Sequence, residues 1–119
     1  MVSVNGDGGF GYGLAEMATV VHYNIPLIGV VFRDDAYGNV QRMHKQQFDG
    51  VHHGTDLTNP DMVKLAEAFG MPGHRAESPA EFETVLGDAI AAGGPCLIDV
   101  PMPICPDPWA IMMRPWRPE

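Results

Sequence analysis

An α/β fold, with a mostly parallel sheet and helices on both faces, is what this sequence predicts, and three observations carry it. A β-prone run, a helix-periodic run and a second β run follow one another from Val2 to Phe32. The second β run, Leu27-Ile28-Gly29-Val30-Val31-Phe32, is continuously apolar, the pattern of a strand covered on both faces. Beyond it, two helical segments open on capping residues and lead to a last apolar run, Cys96 to Val100.

Taken in order, Val2 to Asn5 reads as a short strand. Gly6-Asp7-Gly8-Gly9-Phe10-Gly11 is too rich in glycine to continue a strand or a helix and reads as a sharp loop. From Leu14 to Tyr23 the residues Leu14, Met17, Ala18 and Val21 recur at helical spacing, and Asn24-Ile25-Pro26 ends the pattern. With the buried strand that follows, this makes a βαβ unit, expected to cross over right-handed. Turn residues Arg33 to Ala36 lead to a short helix from Tyr37 to about Lys45, and 46–60 reads as a long loop. Asp61 can cap a helix carrying Met62, Val63, Leu65, Ala66 and Phe69, stopped by Gly70. Ser78-Pro79-Ala80-Glu81 places a cap, a proline at the first helical position and a capping-box acid ahead of a helix running to Ala92. After Val100, prolines at 101, 103, 106, 108, 115 and 118 predict an extended arm.

At 119 residues one core is expected, and 45% hydrophobic with 18% charged residues is ordinary globular composition. The net charge of −8 argues against a general grip on nucleic acid, which needs a basic face. An anionic ligand would need a metal or backbone amides. Cys96 and Cys105 form neither a disulfide framework nor a Cys-x-x-Cys site. The first residues lack a basic region followed by a long apolar stretch, so a cytoplasmic location is the expectation.

The sharpest feature is the pair Asp7 and Asp34, each just beyond the carboxyl end of an expected parallel strand, the edge where α/β sheets bind ligands. The interval of 27 residues (34 − 7) is one βαβ unit, so the helix between them is a spacer that brings both to one rim. Two carboxylates there invite a hard cation such as Mg²⁺, which takes one or two carboxylates plus phosphate oxygens. Glycines around Asp7 let backbone N–H groups approach a phosphate, and a helix starting near Tyr12 would point its positive end at it. Gly6, Gly8 and Gly11 also spell G-x-G-x-x-G, with Asp34 as the ribose-binding acid of an NAD-type dinucleotide domain. That reading ranks second: a carboxylate about 4 Å from a pyrophosphate charge costs on the order of 4 kcal/mol at an effective dielectric near 20. A bridging cation reverses the sign.

Gly6-Asp7-Gly8, the 27-residue interval and Arg33-Asp34-Asp35-Ala36-Tyr37-Gly38-Asn39-Val40 resemble the signature of thiamine-diphosphate-dependent enzymes of the acetolactate synthase, benzoylformate decarboxylase and glyoxylate carboligase group. Position by position, the resemblance implies that Asp7 and Asp34 ligate Mg²⁺ through their side chains and Ala36 through its carbonyl. Gly6, Gly8, Gly9, Tyr37, Gly38 and Asn39 would line the diphosphate. The implied chemistry is decarboxylation of a 2-oxo acid or its carboligation to an acceptor. The resemblance runs from Val2 to about Pro101 and matches the second half of the family's cofactor-binding domain. Residues 1–101 are thus the expected C-terminal portion of the diphosphate- and Mg²⁺-binding domain, and 102–119 a proline-rich arm. It further implies a pyrimidine-binding domain, with the activating glutamate, on another segment or chain, and a homo-oligomer in the complete form. The chain alone is expected to be inactive, and a non-catalytic remnant acting through interactions stays open as a third reading.

Two positions depart from the signature. Arg33 stands where the family has the first Asn of its closing pair, and Asp35 where it often has Gly. Arg33 reads as a solvated strand end, because surface ion pairs are worth little. His44, His52 and His53 lack metal-ligand spacing and read as solvated. Glu16 is not in the position of the family's activating glutamate. The methionines 43, 62, 71, 102, 112 and 113 are too scattered for a thioether site, and Trp109 and Trp116 would anchor the arm.

Overall fold

The computed structural model describes residues 1–103, so the proline-rich arm beyond Pro103, with Cys105, Trp109, Met112, Met113 and Trp116, lies outside the described residues. Within residues 1–103 four parallel strands form one sheet in the order β1-β2-β4-β3: β1 Val2–Gly6, β2 Ile28–Arg33, β3 Gly73–Arg75 and β4 Cys96–Pro101. Among the described residues five helices connect or flank them: α1 Asp7–Gly13, α2 Glu16–His22, α3 Gly38–Gln47, α4 Met62–Phe69 and α5 Pro79–Ala92. This is the expected α/β architecture.

The alternation of β2 and β4 sorts the core into two layers. Val31 and Leu97 face a cluster with Phe10, Met17, Val20, Met62, Ala66 and Met71, supplied mainly by α1, α2 and α4. Ile28, Val30, Cys96 and Ile98 face the opposite cluster, closed by Ala76, Ala89 and the partly buried Phe82, Val85 and Leu86 of α5. Val30, Val31, Leu97 and Ile98 are at most 1% exposed, and burying each contributes about 1.5–3 kcal/mol. β1 is an edge strand, and on its α5-side face Val2 and Val4 stay exposed.

The cap readings hold. Asp61 accepts from the N–H groups of Val63 and Lys64, and Gly70 closes α4 in the left-handed conformation, φ 85°. Ser78 accepts from Glu81 N at the start of α5, and Gly93, φ 72°, ends it.

Two local readings are corrected. The glycine run is not a loop: β1 passes directly into α1, which contains Gly8, Gly9, Gly11 and Gly13. Glycine in a helix costs about 1 kcal/mol relative to alanine; burial of Phe10 in the core offsets this, so tertiary packing overrides propensity. The strand β3 has no sequence pattern, because Gly73-His74-Arg75 is three residues long and held through backbone pairing with β4. Among the described residues no helix is long and apolar enough to cross a membrane.

Candidate functional site

The register explains why two carboxylates meet. Gly6 lies opposite Phe32, so Asp7 comes level with Arg33 and Asp34 stands one residue further along the neighbouring strand. Both leave their strands at the carboxyl edge of the sheet. There a cleft of about 380 Å³ opens, lined by Gly6, Asp7, Gly8, Gly9, Asp34, Ala36, Tyr37, Gly38 and Asn39, with Phe32, Val40, Arg42 and Met102 completing its wall. All nine positions singled out in the sequence thus share one cleft.

Asp7 is 3% exposed, yet among the described residues its carboxylate is held by neutral donors alone. Oδ1 accepts from Gly8 N at 2.9 Å, and Oδ2 accepts from Asp35 N at 2.9 Å and from Asn59 Nδ2 at 2.6 Å. Partial removal from water, and then the negative charge of Asp7, push the Asp34 carboxyl above its ordinary pKa of 3.8. The pair carries more negative charge than its own surroundings offset, which is the electrostatic condition a cation relieves. Among the described residues no three His, Cys, Asp or Glu side chains converge on a metal position, so a cation here would draw on two carboxylates, a carbonyl and ligand oxygens.

Two glycines are there for space. A methyl on Gly8 would come within 2.7 Å of the Tyr37 ring, and one on Gly38 would overlap the Asp34 carboxylate. The α3 helix opens at Gly38 without a side-chain cap or an acid in its first turn, leaving N–H groups at the cleft.

The loop before α4 builds the site's floor. Tyr37 N donates to Thr55 O, Leu57 N donates to Asp35 O, and Ala36 pairs with Asp56. Asn59 contacts both Asp7 and Asp35. Sequence reasoning missed Asn59; the only local signal was its place before Pro60 and the Asp61 cap. Asp99 was missed as well. Fully buried on β4, it accepts from Arg33 Nε at 3.1 Å and Arg75 Nε at 2.9 Å.

Arg33 is therefore not a solvated strand end. It shares a sheet face with Asp99 and also donates from Nη1 to both oxygens of Asp35, at 3.2 and 3.0 Å. The two departures from the family signature are bonded to each other. Asp35 sits at φ 55°, the left-handed region that costs a side-chain-bearing residue about 1–2 kcal/mol and that glycine adopts freely. Its hydrogen bonds to Arg33 and Asn59 hold it there and lower its pKa, Asn59 contributing most. His52 is also corrected: it is partly buried, with Nε2 3.5 Å from Asp56, whereas His53 is exposed. Glu16 is an exposed first residue of α2, and Met62 and Met71 lie in the core.

Comparison with known proteins bears on this arrangement. Residues 1–100 match the family model described as thiamine pyrophosphate enzyme, C-terminal TPP binding domain. The acetolactate synthase of Bacillus subtilis is 38% identical over 102 residues, covering 86% of this chain and 18% of that protein. A 2-hydroxyacyl-CoA lyase of Arabidopsis thaliana is 31% identical over 105 residues, covering 84% of this chain and 18% of that protein. Among solved structures, the thiamine diphosphate-dependent 4-hydroxybenzoylformate decarboxylase of Rhodococcus jostii superposes with a TM-score of 0.80 at 29% identity, over 87% of this chain and 20% of that one. The chain spans about a fifth of the length of these proteins.

Proposed function

From the premise that this chain belongs to the thiamine pyrophosphate enzyme family, as its C-terminal TPP-binding domain, we propose that Asp7, Asp34 and the Ala36 carbonyl hold Mg²⁺. In this reading Gly6, Gly8, Gly9, Tyr37, Gly38 and Asn39 receive the diphosphate. The observation that carries it is the meeting of two carboxylates, one buried and one with a raised pKa, on a cleft that has room for an anion. The residues fit the group. Gly8 and Gly38 keep the backbone accessible, and the uncapped start of α3 favours negative charge.

Thiamine diphosphate, the cofactor of this family, supplies when bound the nucleophilic carbon at which a 2-oxo acid loses carbon dioxide or is joined to an acceptor. The chain's own residues anchor and orient. Asp7, fixed by three N–H donors, gives the cation a carboxylate that needs no reordering, and the Arg33–Asp35 pair holds the turn that presents Asp34 and Ala36. Residues 1–101 act as part of the diphosphate-binding domain of an acetolactate-synthase-like, cytoplasmic homo-oligomer. A pyrimidine-binding domain on another segment or chain completes its site. The dinucleotide alternative gains no support from the family match, which covers residues 1–100.

Calorimetric titration with thiamine diphosphate, in Mg²⁺ and in chelator, tests the proposal. Binding is expected only with the cation, and Asp7→Asn is expected to weaken it by tenfold or more, Asp35→Asn by less. Binding without a cation, or tighter binding of NAD, would overturn it.

A further inference from the structure

Asn59 lies outside the signature, 52 residues from Asp7 along the chain, yet its side-chain nitrogen is 2.6 Å from Oδ2 of Asp7 and 2.9 Å from Oδ1 of Asp35. One amide thus gives both its hydrogens to two carboxylates that would otherwise repel each other. Oδ2 of Asp7 also accepts from Asp35 N, so two donors occupy its two lone pairs. Among the described residues Oδ1 accepts from Gly8 N alone and keeps one lone pair. We infer that Asn59 is a positioning residue that fixes the rotation of the Asp7 carboxylate, so that Oδ1 is the oxygen offered to a divalent cation. This rests on the reading of Asp7 as a cation ligand proposed above.

The chemistry of the amide suits the task. A lysine in its place would neutralise Asp7 and compete with the cation, and a carboxylate would add repulsion. A neutral double donor orients the charge without cancelling it. Asn59 is itself held on both sides. Leu57 N bonds to Asp35 O on one flank; on the other, Asp61 caps α4 and lies 3.4 Å from Arg75. Asp35, the second acceptor, is anchored by Arg33, which is anchored by the buried Asp99. A chain of bonds therefore runs from β4 to the Asp7 carboxylate, with Asn59 as its last link.

The test titrates Mg²⁺ calorimetrically, at saturating thiamine diphosphate, into the parent protein, Asn59→Ala and Asn59→Ser, with the fold checked by circular dichroism and unfolding followed separately without cation. A positioning role is expected to weaken Mg²⁺ about tenfold in the alanine variant. The serine variant, whose hydroxyl keeps one donor, is expected to lose less. A merely structural role would lower the unfolding midpoint while leaving the affinity of the folded protein unchanged. Affinities of both variants within twofold of the parent would overturn the inference, and if the alanine variant does not fold, the serine variant decides on the same criterion. A parent that binds no Mg²⁺ would instead overturn the reading of Asp7 and Asp34 on which this one stands.

Discussion

The β3/β4 side of the sheet, with α4 and α5, and the β1/β2 rim, with α1 and α3, are built from different local chemistry. On the first side α4 and α5 start on side-chain caps and end on left-handed glycines, and β4 is buried from Cys96 to Asp99. On the second, α1 and α3 have no side-chain N-cap, α1 carries four glycines, and a turn holds Asp35 at positive φ. Local preference and tertiary structure agree in one region and conflict in the other. Where they agree the chain is scaffold, and where they conflict it leaves backbone and charge open to a ligand.

That contrast breaks most severely at Asp99, where the scaffold side borrows the rim's chemistry. Asp99→Ala leaves the Arg33 and Arg75 guanidinium groups without their shared buried partner, and is expected to lower unfolding free energy by about 3 kcal/mol. Urea unfolding measures it; a loss below about 1 kcal/mol would mean that the network contributes little to the scaffold.

A smaller effect of opposite sign is expected at Gly9, where an added Cβ would meet nothing within 4 Å. Gly9→Ala should stabilise the protein by about 0.5–1 kcal/mol through helix propensity and weaken thiamine diphosphate, because the methyl stands in the cleft. Thermal unfolding and calorimetry together check this. Stability and affinity rising in parallel would remove the case that glycine is kept there for a ligand.

The smallest effect is electrostatic. The folded pKa of Asp34 is raised, so its contribution to stability is fully present below the ordinary value of 3.8 and is lost as pH rises through the folded value. Asp35, lowered by Asn59 and Arg33, has the opposite sign and loses its contribution as pH falls. Comparing the parent with Asp34→Asn isolates the first term. In chelator the variant is expected to be slightly the more stable at neutral pH and to lose this advantage in acid, while Mg²⁺ narrows the gap. Melting temperatures across that range would refute this if the two curves stayed parallel.

Legibility in the sequence follows the same division. The caps at Asp61 and Ser78, the stop at Gly70, and the strands β2 and β4 are local signals, readable without a structure. The helix α1 is not, because its glycines signal a loop and only the burial of Phe10 makes them helical. The nine cleft positions are legible through the signature and the strand ends. Asn59 and the Arg33–Asp99 pair are not, since contacts across 52 and 66 residues leave no local pattern.

The junction between β1 and α1 contains no loop residue: Gly6 is the last of the strand and Asp7 the first of the helix. One residue inserted ahead of Asp7 would turn its side chain by about 100° around the helix axis, and one deleted would turn it as far the other way. Asp34 also directly follows its strand, β2, but it opens a turn that runs to Tyr37 before α3 begins at Gly38. At the β1–α1 corner the chain cannot be lengthened or shortened without turning Asp7 away from the cleft, so the count of residues there is as much a part of the site as their identity.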